Sequence, residues 1–294
     1  MPMGSAEHAS PLSTDATRRR ITATLGKWIT NGILLLVATT YIYPFVWMAY
    51  TSLKTRQEFA LNIFALPEAF YTEHYATIIR MENVLSTFFN SFFNSSISMV
   101  FVIVLAFLSG YVLARFTFRG RNLLYAFFLL GLTIPVHALL IPLFIQFRAL
   151  SLLNTRITLI FPYVTFHLPV AIYLFSSYVK SIPRELEEAA FIDGSNMNHT
   201  LFHVILPICF PITATILILV FLQIWNEFPF ALILLTGSEY RTVPVWLTLF
   251  QGQYTVNYPL QLTGMFLASF PVVALYLAFR ERVIRGMAAG AMKG

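Results

Sequence analysis

The sequence predicts an all-α integral membrane protein: six transmembrane helices, with a short additional helix in the loop before the fifth. Three observations carry this prediction. Of the 294 residues, 57% are hydrophobic and only 11% charged, and the mean hydropathy is +0.71, which is a membrane rather than a soluble composition. Uncharged apolar stretches recur, each long enough to cross a hydrocarbon core of ~30 Å as a helix rising ~1.5 Å per residue. They are continuous and lack the alternation of a membrane β-barrel, so helices are the remaining way to satisfy the backbone in lipid.

The elements follow in chain order. Residues 1–20 are rich in Ser, Thr, Ala and Pro, end in Arg18-Arg19-Arg20, and read as a disordered tail. The membrane domain then occupies 21–294. Its first span is 28–50; a cleaved signal peptide is the competing reading, disfavoured because this run is too long for a signal core and no small-x-small site follows it. Tyr41, Tyr43, Trp47 and Tyr50 crowd one end of that span as an aromatic belt. A large loop over 51–89 carries Glu58, Glu68, Glu73 and Glu82. The second span is 90–114, and the third, 122–147, is interrupted by Pro135 and Pro142, which predicts kinks or hinge points. The fourth span is 157–179. A polar loop over 180–207 leads into the fifth, 204–226, which begins with Pro207 and Pro211. In the next loop, 227–260, the apolar pieces Phe228–Leu235 and Val243–Phe250 are too short to cross and are broken by Gly237, Pro244 and Gly252, so interfacial or re-entrant helices are expected. The sixth span is 261–279, followed by a tail over 280–294.

Charge sets the orientation. With the N-terminus inside, 13 basic residues fall on the cytoplasmic side, among them Arg18, Arg19, Arg20, Arg115, Arg119, Arg121, Lys180 and Arg184. The other side receives six: Lys54, Arg56, Arg80, Arg148, Arg156 and Arg241. This bias puts both termini in the cytoplasm. The basic residues form no continuous stripe, so a nucleic-acid partner is not expected. The single Cys209 lies in an apolar run and excludes an internal disulfide.

The loop over 180–207 is the compositional exception. Four of the 13 acidic residues lie in Glu185-Leu186-Glu187-Glu188-Ala189-Ala190-Phe191-Ile192-Asp193-Gly194. Ser181 can cap a helix here, Pro183 suits its first turn, and Glu185 and Glu187 complement the positive end of its dipole. Gly194 then stops it. Leu186, Ala189, Ala190 and Asp193 fall on one side at helical spacing, where the alanines allow close approach of a partner.

Glu188-Ala189-Ala190, Gly194 four residues later, and Leu206-Pro207 beyond it resemble the Glu-Ala-Ala signature loop of binding-protein-dependent ABC importer permeases, with Val204 standing at the place of the family's Ile. The six-span layout, Trp225-Asn226-Glu227-Phe228 and Arg280-Glu281-Arg282 are similar to the maltose-type carbohydrate uptake subfamily. The resemblance implies a type I importer transmembrane domain in the bacterial cytoplasmic membrane, with the loop forming a coupling helix that docks on an ATPase. It further implies a second homologous permease, two cytoplasmic ATPase subunits that bind ATP and Mg, and an extracytoplasmic solute-binding protein. Glu185, Glu188, Ala189, Ala190, Asp193, Gly194, Leu206 and Pro207 become the candidate coupling residues. No cofactor is expected on this chain itself, since none of Lys27, Lys54, Lys180 and Lys293 lies in a phosphate-binding loop. The solute implied is a carbohydrate, an oligosaccharide first; a polyol, a glycerol phosphate ester or another polar nutrient is the alternative.

A translocation path is sought among polar residues at membrane depth, which are costly there and so functional candidates. His137 beside Pro135 and His167 beside Pro169 qualify; at the end of the fifth span Gln223, Asn226 and Glu227 could bond sugar hydroxyls or brace a gate, and Trp225 could stack on a sugar ring. Against this stand helix-to-helix hydrogen bonding for the histidines and an interfacial cap with an aromatic anchor for 223–227. His199 and His203 share metal-ligand spacing on a helix, but no third ligand has a place, and no metal site is expected. A membrane-embedded enzyme would need a nucleophile with a base or paired carboxylates in the bundle, and the spans contain no Asp or Glu. An ion-coupled transporter would likewise need buried carboxylates and matched halves, and neither is present.

Overall fold

The computed structural model describes residues 12–250 and 257–291, helical for most of that length. Helix α1 (Leu12–Thr51) contains the first span. It starts within the stretch read as a disordered tail, so that reading holds at most for residues 1–11, which lie outside the described residues. Once a span is helical, extending it adds a hydrogen bond for each residue ordered. Leu34, Leu35 and Leu36 of α1 are exposed, and its other end packs against the last helix.

The loop after α1 is organised by polar contacts. Helix α2 (Arg56–Leu61) begins with a capping box in which Thr55 and Glu58 bond one another's backbone amides, an arrangement that satisfies two orphan donors. Lys54 is fully buried, and its ammonium donates to the carbonyls of Asn62 and Ile63 at 3.0 and 3.3 Å. The aromatic belt has a use here: Trp47 Nε1 donates to Ile63 O at 3.2 Å and Tyr50 Oη to Phe64 O at 3.1 Å. Helix α3 (Glu73–Arg80) buries His74 and Ile78.

Helix α4 (Val84–Arg115) is the second span and α7 (Ile160–Ser181) the fourth; they form the most extensive helix pair in the chain. Lipid tails are as apolar as leucine, so two membrane helices associate by close packing. On α4 a ridge at four-residue spacing, Ser98, Val102, Ala106, Gly110 and Ala114, is buried. At Gly110 the backbones nearly touch: a Cβ there would stand 2.7 Å from Phe175 Cβ and 3.0 Å from Ser176 N.

The third stretch, 122–147, is not one continuous span. It divides into α5 (Arg121–Leu130) and α6 (Leu140–Ala149), joined through short 3-10 turns and bent by 91°. The break lies at Ile134-Pro135: proline lacks an N–H and pushes its predecessor out of the helical region, and Ile134 has φ −75° and ψ 119°. Pro142 sits in the first turn of α6, where it is tolerated, so it makes no second break.

Helix α8 (Glu185–Ile192) and the short α9 (Met197–His199) fill the polar loop. Ser181 does not cap α8. It is the last residue of α7 and donates back to Tyr178 O, because Ile182 is extended and places Arg184 at the start of α8. A π-helical turn over Thr200–Ile205 follows, then α10 (Leu206–Ile208) and α11 (Phe210–Trp225), with a 71° bend across Cys209. The two apolar pieces of the loop over 227–260 form short helices, α12 (Pro229–Leu234) and α13 (Val243–Leu247). Helix α14 (Tyr258–Ala291) carries the sixth span on through most of the expected tail. Four described helices are long and apolar enough to cross a membrane, and the number is six if each of the two bent pairs is one span. Phe107, Tyr163, Ile172, Phe175, Ile205 and Val220 meet in the core between α4, α7 and α11.

Candidate functional sites

Two sites lie at different depths of the bundle. The first is α8, which presents Glu185, Glu188 and Ala189 outward, with Ala190 half-buried. Apolar side chains are exposed beside these acids, Ile192 at 86% and Phe191 at 45%, a combination that fits a protein surface better than solvent. The helix ends in a left-handed turn. Gly194 has φ +84°, its N–H bonds Phe191 O at 3.0 Å, and Ser195 N–H bonds Ala190 O at 2.9 Å. These two bonds satisfy the terminal carbonyls and require a residue that accepts positive φ, which is why a glycine stands here. Asp193 caps the end and is exposed.

Downstream, Pro207 has no N–H to give to His203 O, and the turn widens: Leu206 N–H bonds Leu201 O, five residues back. Leu206 packs against the core while Pro207 is exposed. His199 and His203 stack at 4.4 Å with rings 9° from parallel, and Ser195 Oγ lies 2.7 Å from His199 Nδ1. Among the described residues no group of three His, Cys, Asp or Glu side chains is placed to hold a metal ion.

The acid that sequence reasoning missed as a site residue is Glu187, read only as a complement to the helix dipole. It turns inward, and its side chain is 10% exposed. It meets Arg115 Nε at 2.5 Å, whose side chain is 7% exposed, and accepts from Tyr111 Oη at 2.8 Å. Arg115, counted above as a topology charge, therefore has a specific partner. The sequence did hold a signal, Tyr111 and Arg115 one helical turn apart at the end of an apolar span. Its partner lies on another helix and was not visible.

The second site is a cavity of 440 Å³ bounded by the 3-10 turns between α5 and α6, by α7, by the end of α11 and by α12. Of the path candidates it brings together His167, Gln223 and Glu227, beside Tyr163, Pro162 and Gly131. His167 Nδ1 lies 2.6 Å from Tyr163 O. Glu227 is largely committed: it accepts from Tyr163 Oη at 2.8 Å, and from the N–H groups of Phe230 and Ala231 at 2.7 and 3.2 Å, capping α12.

Three path candidates fall outside this cavity. Trp225 is 3% exposed, stacks on Phe221 and donates from Nε1 to Ala268 O at 3.2 Å, so its ring is a packing element between α11 and α14. Asn226 Nδ2 turns back onto Leu222 O. His137 sits exposed in the 3-10 turn after Pro135, displaced by the 91° bend, and only its neighbour Val136 lines the cavity.

Comparison with known proteins agrees with this architecture. Residues 103–287 match the family model of the binding-protein-dependent transport system inner membrane component. The chain is 36% identical over 269 residues to the sulfoquinovosyl glycerol transport system permease protein of Agrobacterium fabrum, covering 91% of this chain and 93% of that one. It is 32% identical over 267 residues to the trehalose/maltose transport system permease protein of Thermococcus litoralis, covering 88% and 94%. It is also 32% identical to a diacetylchitobiose uptake system permease protein of Streptomyces coelicolor, covering 90% and 88%. In fold it is similar to a chain of a bacterial ABC transporter that imports the acidic polysaccharide alginate, with a TM-score of 0.77 at 21% identity over 88% of this chain and 97% of that one. The chain thus belongs to the family of binding-protein-dependent transport system inner membrane components, the membrane-spanning permeases of ABC importers.

Proposed function

We propose that this permease carries a carbohydrate, an oligosaccharide by preference, through a pathway that includes the His167–Gln223 cavity, and that α8 couples this movement to a cytoplasmic ATPase. The observation that carries the reading is α8 itself: an exposed helix of acids and apolar residues, closed by Gly194, in a chain of this family. The relatives named for sulfoquinovosyl glycerol, trehalose or maltose, and diacetylchitobiose support a sugar solute. The structural relative solved with an alginate-bound periplasmic protein supports delivery by a solute-binding protein. In this reading α8 and both termini face the cytoplasm, a second permease completes the pathway, and two ATPase subunits bind ATP and Mg and hydrolyse the ATP. Glu188 contacts the ATPase, Ala189 and Ala190 give the close-packing face, and Gly194 holds the turn. His167 and Gln223 offer polar atoms to passing hydroxyls; Glu227 holds the wall by capping α12, and Trp225 packs α11 against α14.

The test is reconstitution with the partner subunits in proteoliposomes, followed by uptake of labelled oligosaccharides, polyols and glycerol phosphate esters. ATP-dependent uptake of oligosaccharides that falls with Glu188→Ala is the expected result. Uptake confined to polyols or phosphate esters would refute the sugar assignment, and uptake indifferent to Glu188 would refute the coupling assignment.

A further inference from the structure

We infer that Tyr111, Arg115 and Glu187 are positioning residues for coupled transport: together they lock α8 onto the end of α4, so that displacement of α8 moves α4 directly. The inference rests on the proposal that α8 receives the motion of an ATPase.

The contacts run in both directions between the two segments. Glu187 Oε1 meets Arg115 Nε, and Oε2 accepts from Tyr111 Oη. Arg115 Nη2 also donates to Ile182 O at 2.9 Å, at the junction of α7 and α8. In return Arg184 Nη2, at the start of α8, reaches Arg115 O at 3.3 Å. One guanidinium therefore ties both the helix and the strand of chain leading into it. Tyr111 and Arg115 are four residues apart and share a face of α4, so the two attachments fix an orientation as well as a position.

Connectivity alone would not do this. The chain enters α8 through an extended residue, Ile182, and leaves it through the left-handed Gly194, so neither end continues a rigid helix. Glu185 and Glu188 remain exposed, which leaves the outward face of α8 free while its inward acid is engaged. At its other side α4 is seated on α7 through Gly110. A push on α8 is thus delivered to the α4–α7 pair, which forms much of the bundle core. A buried carboxylate and guanidinium suit such a joint, because separating them would leave uncompensated charges in a poorly solvated place.

The experiment uses the complete complex of this permease with its partner permease, ATPases and binding protein in proteoliposomes. ATP hydrolysed and sugar transported are measured together. Glu187→Gln keeps the shape and removes the charge; Tyr111→Phe removes one hydroxyl and is the variant least able to disturb folding. The expected result is a rise in ATP consumed per sugar of at least about fivefold for Glu187→Gln and at least about twofold for Tyr111→Phe. Arg115→Lys, which keeps the charge, restores part of the coupling lost in Arg115→Gln. A structural role alone would lower both activities together and leave the ratio unchanged. An unchanged ratio in Tyr111→Phe, or in a Glu187→Gln complex that assembles, overturns the lock. If Glu187→Gln fails to assemble, Tyr111→Phe decides. Failure of the wild-type chain to assemble with an ATPase, or to show sugar-stimulated hydrolysis, would instead overturn the underlying coupling proposal and is read separately.

Discussion

Replacing Gly110 by alanine places one methyl group where α4 and α7 are closest. Its carbon would lie 2.7 Å from Phe175 Cβ, 3.0 Å from Ser176 N and 3.3 Å from Phe175 C. Carbon atoms settle at about 3.5–4.0 Å, so the helices must separate locally by roughly 1 Å. No rotamer change can absorb this, because the atoms in the way are backbone or the first side-chain carbon. Overpacking of this kind costs about 1–3 kcal/mol, and in a large domain each kcal/mol lowers the melting temperature by roughly 2–4 °C. Thermal unfolding of the purified protein in detergent should therefore show a clear drop for Gly110→Ala and a larger one for Gly110→Val. Phe175→Ala should not rescue it, since alanine keeps the offending Cβ. Gly264→Ala is the comparison: its new methyl meets the outer ring and methyl atoms of Phe250 and Leu247 at 3.0–3.4 Å, and those side chains can rotate away. A melting temperature for Gly110→Ala equal to wild type, or rescue by Phe175→Ala, would show that contact with the α7 backbone does not limit this helix pair.

Gly194→Ala adds a Cβ with no atom within 4 Å, so its cost is backbone strain alone, about 1–2 kcal/mol at positive φ. Recovery of the ATPase with the permease should fall, and less so for Gly194→Asn, which tolerates that conformation; equal effects of the two would reject strain as the cause. Trp225→Ala should destabilise the protein by about 3–5 kcal/mol, whereas Gln223→Ala should leave melting intact and raise the transport KM. The reverse pattern would return Trp225 to the pathway. His74 is buried, with Nε2 3.0 Å from Lys54 O, and burial holds its pKa below the usual histidine value. The unfolded loop binds a proton near pH ~6.5 and the folded loop only at lower pH, so stability is fully present above that value and is lost as pH falls through the window. Proteolysis of the 51–80 loop should accelerate from pH 7.5 to 5.5 in wild type and not in His74→Gln; an identical acceleration in both would exclude His74 as the titrating group.

The spans and the acidic loop were legible because each is written in consecutive residues. An apolar run states its own length, and Glu188, Gly194 and Pro207 state their own spacing. Misreadings arose where the deciding partner is distant in the chain. Glu187 and Glu188 are adjacent acids of the same type, yet one faces Arg115 and Tyr111 and the other faces out, a difference of about 100° around a helix. Lys54 looked like a loop charge and is fully buried, held by two carbonyls. Trp225 had the chemistry to stack on a sugar, but α14 covers it. Pro135 and Pro142 looked equivalent; one breaks a helix and the other opens one, which depends on where the hydrogen-bond ladder starts.

By itself the sequence determined that this chain is helical and membrane-spanning, roughly where its apolar helices lie, and which loop carries the family signature. Those properties follow from solubility in lipid and from local backbone rules, both of which act on neighbouring residues. Only the tertiary structure decided that the third stretch is bent by 91° into two half-helices, that His167 and Gln223 share a cavity while His137 and Trp225 do not, and that Glu187 is bound to α4. These depend on how helices far apart in sequence pack. In lipid that packing is set by shape and by paired polar groups, which no single span displays.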